Sequence, residues 1–218
     1  ATIRRQRQMC IRDRYFDLVL IAVIHLAGII GIYFLESIFF LRTSSVSILI
    51  PLFLFCFRSN LTNKDALLFA SVFVIGYTAE FLGVNYQILF GDYSYGASLG
   101  VKLFEVSVTI GCNWLLLALI SQALMKRVFV NKWLVIIFSS LLMVLIDLYI
   151  EPVAPLLDFW EFNENIVPFS NYRDWFMVAL IIQFILSFRN AQVNMFNWSL
   201  GYLIILVLFF SFFHFTIV

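Results

Sequence analysis

The chain has 218 residues, of which 63% are hydrophobic and only 12% are charged, and its formal net charge is +1. A soluble globular domain carries roughly twice that charged fraction, so the composition excludes one. The balanced charge does not indicate nucleic-acid binding, and three scattered cysteines without a CxxC pair indicate neither disulfides nor a metal site. We predict an all-α, polytopic membrane helical bundle with one domain.

Residues 1–14 contain the string MCIRDR, which a common transposase sequencing adapter encodes when it is translated. We expect residues 1–14 to be such an artefact or a disordered leader, and we leave them out of the fold prediction. The alternative is a genuine basic N-terminal segment. Residues 15–218 are expected to form a single membrane-embedded domain.

A membrane-crossing helix needs about 20 mostly apolar residues, and short polar breaks divide the chain into seven such segments. They are 16–36, 44–58, 65–82, 104–125, 133–150, 173–189 and 198–218. The second segment is short and contains Pro51, which a membrane helix tolerates with a kink. The pattern predicts about seven transmembrane helices.

The basic residues favour one orientation of these helices. Outside residues 1–14, six of the nine lysines and arginines flank one side of the predicted bundle, namely Arg58, Lys64, Lys126, Arg127, Lys132 and Arg189. The other side has Arg42, Lys102 and Arg173. Because Lys and Arg accumulate in cytoplasmic loops, we predict a cytoplasmic N-terminus and location in a bacterial inner membrane.

The longest polar, glycine-bearing interval is 80–103, between the third and fourth apolar segments. Its glycines, which we expect to break a helix and to form turns, are Gly83, Gly91, Gly96 and Gly100. Polar, non-helical backbone occurs near a membrane only where protein or a wet cavity satisfies it. This interval is therefore predicted to be one wall of a site.

Acidic residues concentrate on the same side as this interval. Ten of the twelve that follow residue 14 lie on or near it. A helical rise of about 1.5 Å per residue gives Glu80 and Asp147 the same depth, and Glu151 shares a helix face with Asp147. Carboxyl groups beside lipid are usually functional, so these three are the candidate catalytic residues. Alternatively, Glu80 and Asp147 pair with Lys102 or Arg173 and only tie helices together.

Further polar and aromatic residues cluster around the acids in the sequence. The candidate substrate-binding residues are Tyr93, Tyr95, Glu105, Asn113, Trp114, Trp160, Asn171 and Trp175. Trp114 lies deeper than the aromatic belts at membrane interfaces, which favours a pocket or core position. Trp160 and Trp175 fit either a pocket or an interfacial belt.

Two groups of motifs carry a more specific signal. The first is Glu80-x-x-Gly83, Phe90-Gly91-x-Tyr93-x-Tyr95, Leu99-Gly100-x-Lys102 and Asn113-Trp114. The second is Asp147-x-x-x-Glu151-Pro152, Phe159-Trp160 and Val167-Pro168-x-x-Asn171-Tyr172-x-x-Trp175. From about residue 16 to the C-terminus, the chain resembles the CruF-type integral-membrane carotenoid 1,2-hydratases of the carotenoid biosynthesis protein family.

The resemblance implies a cofactor-independent hydro-lyase acting on the terminal C1=C2 double bond of an acyclic carotenoid end, as in lycopene or γ-carotene. It also implies a carotenoid taken from the bilayer, water as the second substrate, and other carotenoid-pathway enzymes as potential partners.

Such chemistry fits the candidate residues. A carboxyl group in apolar surroundings keeps a proton that it can donate, and aromatic faces stabilise the resulting carbocation. Asp147 or Glu80 would donate the proton, and the other acid, Glu151 or Asn113 would orient the water.

Two other functions fit the same pattern. A membrane carotenoid cyclase uses the same protonation but quenches the cation with an internal double bond, so its product has an unchanged mass. A non-enzymatic polyene-binding or transport protein would use paired acids as a proton relay. Transport predicts inverted repeats, and the sequence has no visible repeat.

Overall fold

The protein, described here from a computed structural model, is a helical bundle whose described residues form eight α-helices and two pairs of short strands. The structure describes the backbone of residues 2–163, 166–190 and 193–216, with side chains from residue 15 onward. The helices are α1 Thr2–Ile29, α2 Ile38–Arg42, α3 Val46–Arg58, α4 Asn63–Tyr86, α5 Val108–Val128, α6 Lys132–Ile150, α7 Phe169–Leu186 and α8 Phe196–Thr216. A π-helical turn, Ile30–Phe34, continues α1.

Five helical stretches are long and apolar enough to cross a membrane: Tyr15–Phe34, α4, α5, α6 and α8. The other two predicted segments correspond to α3, which has 13 residues, and α7, which carries Arg173 and Asp174 near its start. The chain is thus an integral membrane protein with the predicted fold class. The membrane orientation and the interpretation of residues 1–14, whose side chains lie outside the described set, stay predictions.

The glycines of the polar interval have different roles from one another. Gly83 lies inside α4, which ends only where Gln87 adopts a left-handed conformation, so the expectation that Gly83 breaks the helix is wrong. Gly91 and Gly100 have φ angles of 112° and 85°, as turns that favour glycine require. The non-helical part of this interval therefore begins at Gln87, about one helical turn after Gly83.

Two strands join the two long loops at one end of the bundle. Strand β1, Tyr93–Tyr95, pairs antiparallel with β4, Trp160–Phe162, so that Tyr93 lies opposite Phe162 and Tyr95 opposite Trp160. Because alternate strand residues face opposite sides, these four aromatic side chains are buried while Ser94 and Glu161 are exposed.

A smaller hairpin follows β1 in the same long loop. It pairs β2, Lys102–Leu103, with β3, Val106–Ser107, and leads directly into α5. The all-α prediction did not include either pair of strands.

Helix α5 is the centre of the bundle and packs against α3, α4, α6, α7 and α8. Its contact with α4 is close because Gly76 has no side chain: a Cβ atom there would lie 2.6 Å from Trp114. The small residue lets the Trp114 ring lie across α4. Trp114 is thereby held, fully buried, at the level where α4 carries Glu80.

Two ion pairs tie helices together at the end of the bundle away from the strands. Arg58 donates two hydrogen bonds of 2.7 Å to Asp17, linking α3 to α1. Arg189, just after α7, lies 3.1 Å from Asp65 at the start of α4. Both aspartates are buried, so each buried carboxylate here has an arginine partner.

Replacing Gly96 by alanine tests the close contact between the two long loops. An added Cβ atom would collide with the backbone oxygen of Asp158, just before β4. We expect Gly96→Ala to destabilise the fold by about 1–3 kcal/mol, as overpacking does, and to lower Tm in detergent. Gly28→Ala is the control, because its Cβ atom would meet Phe209 at an ordinary 3.4 Å. Equal melting of the two variants would contradict the prediction.

Candidate active site

A small cavity lies where α4, α5, α6 and α7 meet the β1–β4 strands. Its volume is about 10 Å³, which is close to the space that one water molecule needs. The lining residues are Glu80, Phe90, Tyr93, Tyr95, Ile110, Asp147, Glu151, Trp160, Phe162, Asn171 and Trp175.

Glu80, on α4, accepts hydrogen bonds from three neutral donors. The Tyr93 and Tyr95 hydroxyls donate to its Oε2 atom at 2.5 and 2.7 Å. The Trp114 indole N–H donates to Oε1 at 2.8 Å. Both oxygens of this buried carboxyl group therefore accept hydrogen bonds.

Asp147 and Glu151 form a pair on one face of α6. Both carboxyl groups are buried and lie close enough for each to act on the charge of the other, an arrangement that disfavours ionisation of both at once. The Asn171 amide N–H₂ on α7 donates to both, at 3.2 Å to Asp147 and 3.0 Å to Glu151. The Trp160 indole N–H donates to Glu151 at 3.1 Å.

Burial controls the protonation of the groups at the loop end of the site. It raises the pKa of Glu151 to about 7, although the hydrogen bonds from Trp160 and Asn171 act in the opposite direction. Burial and the adjacent Glu80 raise the pKa of the Tyr93 and Tyr95 hydroxyls well above the usual value. Both tyrosines therefore remain donors, and Glu151 exchanges its proton near neutral pH.

Among the side chains that the structure describes, no lysine or arginine forms a salt bridge with Glu80, Asp147 or Glu151. Arg173 pairs instead with Asp174 at 2.8 Å, and the Lys102 ammonium donates to the backbone oxygen of Tyr95. The alternative in which these acids tie helices together through Lys102 or Arg173 is therefore wrong.

Aromatic rings enclose the carboxyl groups. The rings of Trp114 and Trp175 stack 3.7 Å apart, and the Phe90 ring lies 6.2 Å from that of Trp175. Asp174 holds the loop that carries Phe90, because its carboxylate accepts a hydrogen bond from the Phe90 backbone N–H at 3.0 Å. Trp160 and Trp175 are buried in the site, so neither belongs to an interfacial belt.

The structure brings most of the sequence-predicted residues to this cavity. Those lining it are Glu80, Asp147, Glu151, Tyr93, Tyr95, Trp160, Asn171 and Trp175. Trp114 touches the site through its bond to Glu80. Asn113 lines a neighbouring cavity instead, and Glu105 is exposed in the β2–β3 turn with a φ angle of 62°.

The sequence reasoning missed three lining residues, Phe90, Ile110 and Phe162. Phe90 belongs to one of the motifs, but as one of 26 phenylalanines it gives no separate signal. Phe162 follows the alternation of Trp160 and Glu161, which indicates a strand with an aromatic face. No comparable signal separates Ile110 from the other apolar residues of α5.

Comparison with known proteins gives one match. A family model described as "Carotenoid biosynthesis protein" matches residues 38–218, a range that includes every residue around the cavity. No curated protein and no solved structure matches the chain.

Removing the Trp160 indole tests the electrostatics of Glu151. Its hydrogen bond favours the ionised carboxylate, so Trp160→Phe should move the pKa of Glu151 upward from about 7. The measurement is an infrared titration of the protonated carboxyl band, assigned through its loss in Glu151→Gln. Trp133→Phe, at an exposed position of α6, should leave the midpoint unchanged. A Trp160→Phe midpoint equal to that of the unaltered protein would contradict the assignment.

Proposed function

The chain belongs to the carotenoid biosynthesis protein family, and we propose that it is a carotenoid 1,2-hydratase. Its reaction would add water to the terminal C1=C2 bond of an acyclic carotenoid end, such as that of lycopene or γ-carotene. The observation that carries this proposal is the cluster of three buried carboxyl groups, held by neutral donors, around a cavity of about 10 Å³. This hydration consumes one water, and the proton that starts it is returned to the enzyme at the end, so the reaction needs no cofactor.

The Asp147–Glu151 pair is the proposed proton source. In this proposal the two adjacent acids hold one proton between them, and the pKa of Glu151, raised to about 7, makes that proton available at neutral pH. A carboxylic acid in an enclosed site is a suitable general acid, because its conjugate base is poorly solvated. The proton would be transferred to C2, the less substituted alkene carbon, and the π electrons of C1=C2 would form the new C–H bond.

The resulting tertiary cation at C1 is the species that the rest of the site would stabilise. Glu80 supplies negative charge, and its three donors hold it in place. The aromatic faces of Phe90, Trp175 and Phe162 line the same cavity. A desolvated cation over such a face gains up to about 2 kcal/mol.

Water capture completes the proposed reaction. The cavity has room for about one water beside the acids. Its oxygen would form a bond to C1, and one of its protons would return to the Asp147–Glu151 pair, which the first step left without its shared proton. The product is a tertiary 1-hydroxy carotenoid, and the enzyme regains its starting protonation state.

The water-sized space beside the acids favours hydration over cyclisation. A space of about 10 Å³ can hold one water molecule next to the carboxyl groups, whereas quenching by an internal double bond requires that water be kept away from the cation. Polar groups that hold the acids from several sides, such as Asn171, also suit a reaction that uses water.

Acid substitutions give the most direct test. In a lycopene-producing bacterium, the unaltered chain should yield a more polar pigment heavier by one water. Glu80→Gln and Asp147→Asn should each lower its yield by at least about 100-fold, the usual contribution of acid–base catalysis. Glu161→Gln is the matched control, because Glu161 lies on β4 but faces outward. Pigment mass spectrometry, with immunoblotting of membranes, supplies the measurement.

A fully active Glu80→Gln/Asp147→Asn double variant would exclude the proposed roles. A new pigment of unchanged mass would indicate the cyclase instead. Membrane-inserted protein that yields no new pigment from lycopene or γ-carotene would favour the binding or transport function.

The dependence of the rate on pH tests the proton source. A donor with a pKa of about 7 is protonated below that pH and loses its proton above it. Hydration in detergent micelles should therefore fall by about tenfold per pH unit well above pH 7. Glu151→Gln should be slower and should lack this decline between pH 6 and 8. A rate that instead rises through pH 7 would mean that a carboxylate acts as the base in the slow step.

A further inference from the structure

Two cavities and a groove lie one after another between the acids and the outside of the bundle. The acid cavity shares Ile110 and Trp160 with a second cavity of about 40 Å³. The second cavity shares Ile150, Leu206 and Phe210 with an apolar groove of about 280 Å³. The shared side chains make these cavities neighbours, so these side chains are what separates the acids from the outside along this line.

The groove lies between α6 and α8, and both helices contribute exposed apolar residues, such as Leu145 and Val207. Each of these helices packs against α5, whereas within the described residues α6 and α8 do not pack closely against each other. An apolar opening on a membrane-spanning face is in contact with lipid chains. A carotenoid is itself apolar and dissolves among those chains.

At the level of the acids, contacts between α6 and α8 close the groove. The Tyr149 and Ser211 hydroxyls hydrogen bond at 2.6 Å, and the Tyr149 ring stacks on His214 with centroids 4.8 Å apart. Below this contact, the groove follows α6 from Leu142 to Ile150, about 12 Å along the helix. A rod-like hydrocarbon in the groove therefore reaches the second cavity at Ile150, Leu206 and Phe210.

We infer that the groove between α6 and α8 binds the polyene chain of the substrate, and that the gap at Ile150, Leu206 and Phe210 admits its terminal group to the acids. This inference rests on the proposed hydratase function. All three side chains at the gap are apolar, so they can move apart without breaking a hydrogen bond. The remainder of the polyene, which is longer than the groove, stays among the lipid chains.

Two pairs of leucine substitutions test the groove. Leu206→Trp narrows the gap, and Leu208→Trp is its control on the lipid-facing side of α8. Leu145→Trp obstructs the groove from α6, where Leu148→Trp is the control. Leu145 is exposed, so its substitution adds no strain to the core and remains informative if Leu206→Trp fails to fold.

We expect the groove variants to lower conversion of lycopene or γ-carotene at least tenfold, and the controls to stay within twofold of the unaltered protein. A second measurement does not require turnover: the absorbance of carotenoid retained by purified Glu80→Gln protein, with and without each leucine substitution. Retained pigment should fall at least fivefold in the groove variants alone.

The outcomes separate the two proposals. If the unaltered protein hydrates the carotenoid and the groove variants remain fully active, the proposed route is wrong. It is also wrong if Ile48→Trp is the one substitution that lowers conversion, because the opening would then lie beside α3. If the unaltered protein hydrates nothing, the hydratase proposal fails, and pigment retention alone decides whether the groove binds a polyene.

Discussion

Three carboxyl groups buried beside one another, with no described cation among them, are the costliest feature of this structure. Burying a charge without a partner costs several kcal/mol, and the other end of the bundle avoids that cost by giving Asp17 and Asp65 an arginine each. At the strand end, Glu80, Asp147 and Glu151 instead receive hydrogen bonds from tyrosine, tryptophan and asparagine. These neutral donors favour the ionised form less strongly than an arginine would, which suits the proton transfer that we propose.

The fold supplies those neutral donors from separate elements. Helix α4 carries Glu80, α5 brings Trp114, β1 brings two tyrosines, and β4 and α7 bring Trp160 and Asn171. The antiparallel pairing of β1 with β4 matters most, because it directs four aromatic side chains of two distant loops to one face. The rigid helices set the positions of the acids, and the strands complete the hydrogen bonds.

Much of this arrangement is predictable from the sequence, for identifiable reasons. The hydropathy of the chain predicts its long helices. The helical rise per residue predicts that Glu80 and Asp147 lie at the same depth, and the four-residue spacing places Asp147 and Glu151 on one helix face. The pairing of β1 with β4 is not predictable, because it joins positions about seventy residues apart whose only signal is a three-residue alternation. The sequence does not show that Asn113 and Trp114 have different surroundings: consecutive helical residues point about 100° apart, so Trp114 bonds to Glu80 while Asn113 lines the neighbouring cavity.

The order in which these donors leave the ribosome has a consequence for biogenesis. Membrane chains are inserted as they are synthesised, N-terminal segments first. The donors to Glu80 all follow it within 34 residues, so its surroundings can assemble once α5 is in the membrane. The pair on α6 must wait for Trp160 and Asn171, which come 9 and 20 residues after Glu151. Until α7 is inserted, that end of the bundle is an unfinished, acidic surface, and a ribosome that stalls there leaves a substrate for membrane quality control.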